Sequence, residues 1–329
     1  MRALILSGDP RHLTLDPHHP PPPSPSPTHY QIRVHAAALC RDELTWPELL
    51  ANKVPVPGYD VAGVVISTPS APNPDGGPYK FAPGDEIYAF TGGTGNGNAR
   101  EITEIAEQDM GVKPKNVGWE EAASIPLSAL SAWQALFVHG ELAGPGSNSE
   151  VESANAGKRV LVTAASGGVG IWGVQLACHA GLDVTGTCGT GNGEWVKRLG
   201  ADTVLDYTKT DLVGWVDGDR EGRAFDVVLD CVGGKTLTDA WKTVRPGGKM
   251  VSVAEPADPK KPSEGVAEGV ESVWFIVSEN SEQLGEITRL VEQGKCRGLV
   301  DSTFALEDWK EAFEKLQTGH AKGKVVFKI

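Results

Sequence analysis

The sequence predicts an α/β protein in which a strand-rich first part precedes a doubly wound parallel sheet. Three observations carry this expectation. The run Arg159–Ala177 reads as a strand, a tight glycine turn and a helix start. From Lys158 onward, short apolar runs alternate with helical patterns, which implies βαβ crossovers and a parallel sheet. Residues 1 to 124 instead hold short extended runs separated by turn residues.

In the first part the predicted strands are Ala3–Leu6, Tyr30–Ala36, Val61–Ile66 and Glu86–Phe90. The proline-rich stretch Asp16–Thr28 reads first as a stiff surface connection, with a ligand for proline-recognition domains as the alternative. His18 and His19 within it read as solvated rather than metal-binding. Thr68–Lys80 is a second loop. The glycine-rich Gly92–Asn98 lacks the Gly-Lys-Ser/Thr ending of a phosphate loop and is expected to be a mobile loop at a substrate rim. Glu120–His139 is helical in pattern and broken at Pro126, with Ala129, Leu130, Trp133, Leu136 and Phe137 on its apolar face. Gly144–Gly157 reads as a polar, flexible insertion.

Past Lys158 the predicted strands are Val160–Thr163, Val184–Cys188, Val204–Leu205, Val227–Cys231, Lys249–Val253 and Trp274–Val277. Helices are expected over Gly193–Leu199 and Thr236–Val244, then over Gln283–Gln293 and Leu306–Leu316. A closing strand, Lys324–Ile329, is expected to return to the first part.

The turn after Val160–Thr163 is the most telling segment. Ala165-Ser-Gly-Gly-Val-Gly170 follows the G-x-G-x-x-G dinucleotide pattern, with alanine in the first glycine's place. Gly167 lets the backbone approach a pyrophosphate, and Gly170 lets the helix pack on the strand. The helix N-terminus offers N–H groups and positive dipole to an anion. An ordinary glycine-rich turn is the alternative, and the flanking strand and helix tell against it. A site for NAD should carry an acid near the end of the next strand, to hold the ribose hydroxyls. That strand ends in Cys188, Gly189, Thr190, Gly191 and Asn192, and Asp183 stands at its start. An end lined by hydroxyl and amide donors admits a 2′-phosphate, which favours NADPH.

Composition narrows the classes further. The 329 residues, 40% apolar and 22% charged, suit a globular protein of two domains. A net charge of −13 argues against nucleic acid or an anionic membrane as partner. Cys40, Cys178, Cys188, Cys231 and Cys296 are scattered and odd in number, which fits reduced thiols in the cytosol. The opening Met-Arg-Ala-Leu-Ile-Leu-Ser-Gly is too short for a signal sequence, and no stretch has the length of a transmembrane helix. The cytosol is the expected compartment.

In order along the chain, several segments resemble the medium-chain dehydrogenase/reductase superfamily, and within it the zinc-free quinone oxidoreductases related to zeta-crystallin. They are Val56–Val65, Ala122–Leu136, the glycine turn, Leu199–Tyr207, Asp226–Gly234, Gly247–Val251 and Phe304–Phe327. Trans-acting fungal enoyl reductases are similar in layout. The resemblance implies a β-barrel-like catalytic domain from both chain ends, 1–124 and 279–329. A Rossmann domain over 125–278 would bind NADPH, with nicotinamide and substrate held in the cleft between them. By position, Ser166, Gly167, Gly168 and Val169 would meet the pyrophosphate. Gly189, Thr190, Asn192 and Tyr207 would lie at the adenosine ribose and its phosphate, and Val232 at the adenine. Val253, Ala254, Phe275, Ile276 and Val277 would border the nicotinamide. Cys40, Arg41, Asp42, Ser131 and Lys324 would close over the cofactor. Tyr207 reads equally well as a packing residue, and Phe275–Val277 as core strand.

The zinc enzymes of that superfamily hold their catalytic metal with a cysteine, a histidine and a further cysteine. Cys40 matches the first, but Gly58-Tyr59-Asp60 stands where Gly-His-Glu would, and Ile125–Ala129 offers no cysteine. No metal is therefore expected. Without a Lewis acid, reduction of a conjugated alkene or a quinone remains open, through hydride addition and stabilisation of the resulting enolate by hydrogen-bond donors. The candidate donors are Tyr59, Arg41, Ser128 and Ser131, while Glu43 and Asp60 read as salt-bridged scaffold. The expected function is an NADPH-dependent, zinc-independent reductase of enones, enoyl compounds or quinones, monomeric or homodimeric. The alternatives are an NADPH-binding structural or sensing protein, or a relative of the zinc alcohol dehydrogenases.

Overall fold

The computed structural model describes residues 1–8, 12–74, 76–92, 97–146 and 154–329. Residues 93–96 of the expected rim loop and 147–153 of the expected insertion lie outside the described residues. The chain forms two compact units, Met1–Leu130 with Ser278–Ile329, and Ser131–Val277. Among the described residues the strands run β1 (Ala3–Ser7), β2 (His12–Asp16), β3 (Tyr30–Leu39), β4 (Asp60–Ser67), β5 (Glu86–Phe90), β6 (Ile102–Ile105) and β7 (Met110–Val112). They continue as β8 (Arg159–Val162), β9 (Asp183–Cys188), β10 (Thr203–Asp206), β11 (Phe225–Asp230), β12 (Val244–Ser252) and β13 (Glu271–Trp274). The last two are β14 (Val300–Ala305) and β15 (Lys324–Lys328).

In the Ser131–Val277 unit the strands form a parallel sheet in the order β10-β9-β8-β11-β12-β13. This is the doubly wound order, reversing between β8 and β11, and in such sheets ligands bind beyond the carboxyl ends of the strands at the reversal. The central strands β8 and β11 are mostly aliphatic and buried, as parallel strands between helices must be. The helix Gly168–His179 can lie close to the sheet because Gly170 and Gly173 put no side chain at the points of closest approach. A Cβ at Gly170 would sit 2.1 Å from the Ala164 carbonyl oxygen, and one at Gly173 would sit 2.8 Å from Leu229. On part of the sheet Leu161, Val228, Leu237, Trp241 and Met250 close a core.

The other unit carries a mainly antiparallel sheet, β14-β15-β3-β4-β5-β7, with β6 also on β3. Its β1–β2 pair forms a separate two-stranded sheet whose Leu4, Leu6 and Leu13 join the core of Leu39, Val325 and Phe327. β15 runs antiparallel to β3 with Val325 opposite Leu39, and β3 to β4 with Ala38 opposite Asp60. Those registers bring Lys324, Cys40 and Asp60 to one end of the sheet, although 284 residues separate the first two.

Several elements differ from expectation for local reasons. β3 continues to Leu39 because Ala36–Ala38 are small, buried and paired on both sides. The strand expected at Trp274–Val277 is instead Glu271–Trp274: Ser252 ends β12 opposite Trp274, so Phe275–Val277 have no strand left to pair with. The helical stretch over 120–139 divides into Trp119–Ala123, Pro126–Trp133 and a wider π turn over Gln134–His139. No described helix is long and apolar enough to cross a membrane.

Candidate functional site

At the carboxyl ends of β8, β9 and β10 the chain presents glycines, hydroxyls, the Asn192 amide and the Asp206 carboxylate. After β8, Ala164 turns with φ 47°, and Gly167 begins the helix Gly168–His179 with no side chain capping it. The first-turn N–H groups of a helix have no partner within it, so this end suits an anion. Asn192 donates to the Ser166 hydroxyl at 3.2 Å and ties the turn after β8 to the turn after β9. A Cβ at Gly191 would meet nothing within 4 Å, and one at Gly189 would touch only Tyr207, at 3.8 Å. Tyr207 is 63% exposed beside that glycine. Ser166, Gly167, Gly168, Val169, Gly189, Thr190, Asn192 and Tyr207 are thus gathered at one end of one sheet.

Asp230 is a further organising residue at this end of the sheet. It ends β11 fully buried. Its carboxylate accepts from the Thr163 hydroxyl beyond β8 at 3.1 Å and from the Ser252 hydroxyl on β12 at 3.0 Å. It also accepts from the amides of Val232 and Gly233 at 3.2 and 3.0 Å. Ser252 in turn accepts from the Ala254 amide at 3.2 Å. Burial pushes this carboxyl up, and the surrounding donors oppose that. Asp230 therefore fixes the loops that carry Val232, Val253 and Ala254. An acid closing an apolar parallel strand was the available signal. Phe275 packs on His139 with ring centroids 4.3 Å apart, Val277 is half-buried, and Ile276 is 65% exposed.

The other unit holds a dry charged cluster. The Lys324 ammonium lies 2.9 Å from Asp60 and donates to the Cys40 sulfur at 3.0 Å. Asp60 also accepts from the Leu127 amide at 2.6 Å. Glu43 is fully buried and accepts from the amides of Cys40 and Gly58 at 3.1 and 3.2 Å. Burial pulls the Lys324 ammonium down, but Asp60 and Cys40 outweigh it and hold it above its usual value. Burial also pushes the Cys40 thiol up to about 12 and the Glu43 carboxyl up to about 8.

Around this cluster, Tyr59 is buried, its hydroxyl included, and its ring packs on Trp46 with centroids 5.3 Å apart. Asn98 anchors that segment by donating to the Gly58 carbonyl at 3.1 Å and to the Thr91 hydroxyl at 2.8 Å. Arg41 and Asp42 are exposed and paired with each other at 3.2 Å, and Asp42 adopts a left-handed φ of 62°. Ser128 and Ser131 are buried one turn apart on the helix Pro126–Trp133.

Together these features define an α/β chain with a dinucleotide-type glycine turn. Comparisons with known proteins take the assignment further. A family model described as zinc-binding dehydrogenase matches residues 199–327. A protein of Arthroderma benhamiae named "Probable zinc-binding oxidoreductase, mitochondrial" is 43% identical over 321 residues, 96% of this chain and 93% of its own. The 2-methylene-furan-3-one reductase of Solanum lycopersicum is 34% identical over 281 residues, 82% of this chain and 63% of its own. The structure of the quinone oxidoreductase from Coxiella burnetii matches with a TM-score of 0.80 at 25% identity, covering 100% of this chain and 99% of that one.

The chain belongs to the medium-chain dehydrogenase/reductase superfamily, in its quinone-oxidoreductase-like group. That family implies an oxidoreductase with a nicotinamide cofactor. The uncapped helix start, the open space at Gly191 and the Ser166–Asn192 link fit a dinucleotide. The zinc in the family's description finds no such fit. Among the described residues no three His, Cys, Asp or Glu side chains gather as a metal-holding group. Cys40 and Asp60 instead share the Lys324 ammonium.

Proposed function

We propose that this chain is an NADPH-dependent, zinc-independent reductase of α,β-unsaturated carbonyl compounds (enones or enoyl derivatives) or of quinones. The observation that carries the proposal is the glycine turn joined through Ser166 and Asn192 to a β9 end that bears no acid of its own. The relatives named for furanone and quinone reduction support the substrate class. A bound nicotinamide supplies the hydride for such a reduction. The chain's own residues do the rest. The helix start at Gly168 balances pyrophosphate charge, Asn192 holds Ser166 in place, and Asp230 fixes the loops of Val232, Val253 and Ala254.

The candidates for stabilising and protonating the enolate are Tyr59, Arg41 and Ser131. Reduction of a conjugated bond does not require an alcohol's pKa to be lowered, so a lysine-held Cys40 is compatible with it. The Ser131–Val277 unit is read as the cofactor-binding part and the other as the catalytic part. A cytosolic monomer or homodimer completes the reading. The Arthroderma relative is named for mitochondria, and cell fractionation decides between the two compartments. Calorimetric titration with NADPH and with NADH is the first test, followed by NADPH oxidation with a panel of enones and quinones. Tight NADPH binding and turnover with a panel member are expected; no binding of either cofactor overturns the proposal.

A further inference from the structure

The β9 end bears no acid of its own, yet strand pairing brings one to it. β10 lies parallel to β9 with Asp206 opposite Cys188, the last residue of β9. The Asp206 carboxylate accepts from the Thr190 hydroxyl at 2.6 Å and from the Thr208 hydroxyl at 2.7 Å. It also accepts from the Thr208 amide at 3.0 Å and pairs with the exposed Lys209 ammonium at 3.3 Å. These donors, the Thr190 hydroxyl foremost, hold the carboxyl well below its usual range, so it is an anion at neutral pH.

The direction of these hydrogen bonds decides what the surface can recognise. A hydroxyl has one proton and two lone pairs. Both threonine protons point at Asp206, so Thr190 turns lone pairs outward. Lone pairs accept from a ribose hydroxyl. They cannot donate to a phosphate, which carries acceptors only. The anion itself adds repulsion toward a 2′-phosphate, and Lys209, the cation on the same carboxylate, offsets part of it.

We infer that Asp206, reaching the β9 end from the neighbouring strand, sets how sharply this chain distinguishes NADPH from NADH. It favours the free 2′-hydroxyl and keeps NADH usable. This rests on the dinucleotide reading proposed above. The general position of the adenosine ribose, beyond the end of the second strand of such a sheet, is what brings it opposite Thr190.

The test is calorimetric titration of the full chain and of Asp206→Asn with NADPH and NADH separately. The asparagine removes the charge and one of the two acceptor oxygens, so one threonine hydroxyl is released to turn its proton outward. The ratio of the NADH to the NADPH dissociation constant is expected to rise about tenfold, the scale of one charge interaction at a solvated site. Thr190→Val serves as the second variant. It removes an acceptor for the ribose hydroxyl, so NADH is expected to weaken more than NADPH. Should both cofactors weaken in parallel in Asp206→Asn, Asp206 is only a staple between β10 and the turn, and the inference fails. An unchanged ratio overturns it too. Absence of binding by the unaltered chain overturns the dinucleotide reading itself, a result distinct from either.

Discussion

The carboxyl ends of β8–β10 and the Lys324 cluster both gather polar side chains, but in opposite states. At the strand ends, Thr190 and Tyr207 are exposed, Ser166 and Asn192 half-exposed, and the helix start carries no side-chain cap. In the cluster, Lys324, Asp60, Glu43 and Cys40 are out of water and matched to one another or to backbone amides. Polar groups left half-satisfied at a surface are ready for a ligand. Polar groups fully matched in a dry interior hold a fold in register, and removing one of them leaves the others stranded. The same residue types therefore predict opposite mutational signatures, large in stability for one region and large in binding for the other.

The sharpest break in that contrast is Lys324→Met. It leaves the buried Asp60 carboxylate without its cation, and a loss of about 3–5 kcal/mol is expected in denaturant unfolding. A loss below about 1 kcal/mol would place the pair among surface bridges and refute the dry-cluster account. Next comes Gly170→Ala, whose Cβ would meet the Ala164 carbonyl oxygen at 2.1 Å. An overpacking cost of about 1–3 kcal/mol is expected, together with weaker dinucleotide binding, because the turn must move. Unaltered affinity in a folded variant would show that this turn does not shape the site.

Glu43 gives a smaller effect with a definite sign. Burial raises its carboxyl from the ordinary 4.5 to about 8, so the folded chain keeps a proton that the unfolded chain releases. Its contribution to stability is full below pH 4.5 and is lost as pH rises to about 8. Thermal unfolding followed across that window should show stability falling in the parent chain. Glu43→Gln should flatten the slope, and an equally steep slope in the variant would assign the effect to another group. The smallest expected change is the cofactor ratio of Asp206→Asn, at a half-buried site where the effect is read in recognition.

How much of this was legible depended on sequence distance. The glycine turn, its strand and its helix lie within about twenty residues, and the periodicity and glycine spacing together define them. The doubly wound sheet was legible for the same reason, since each βα step is local. β14, with its polar Val300-Asp-Ser-Thr-Phe-Ala305, shows no alternation to read and went undetected. Asp206 and Asp230 were visible as acids closing strands, yet their partners lie on neighbouring strands, and only pairing brings them together. Lys324 and Cys40 are both expected over the cofactor through the family resemblance, which says nothing of a bond between them. The Lys324 ion pair with Asp60 follows from two antiparallel registers that no local pattern encodes.

Hydride delivery to a conjugated acceptor is read without intermediary by isotope transfer. The chain is incubated with NADPH deuterated at nicotinamide C4 and a panel of enones and quinones, and the products are read by NMR and mass spectrometry. Deuterium is expected at the β-carbon of a reduced enone, or deuterium-dependent slowing of quinone reduction, in chelator-treated protein. Turnover that appears only on addition of zinc, or no transfer to any acceptor by protein that binds NADPH, would contradict it.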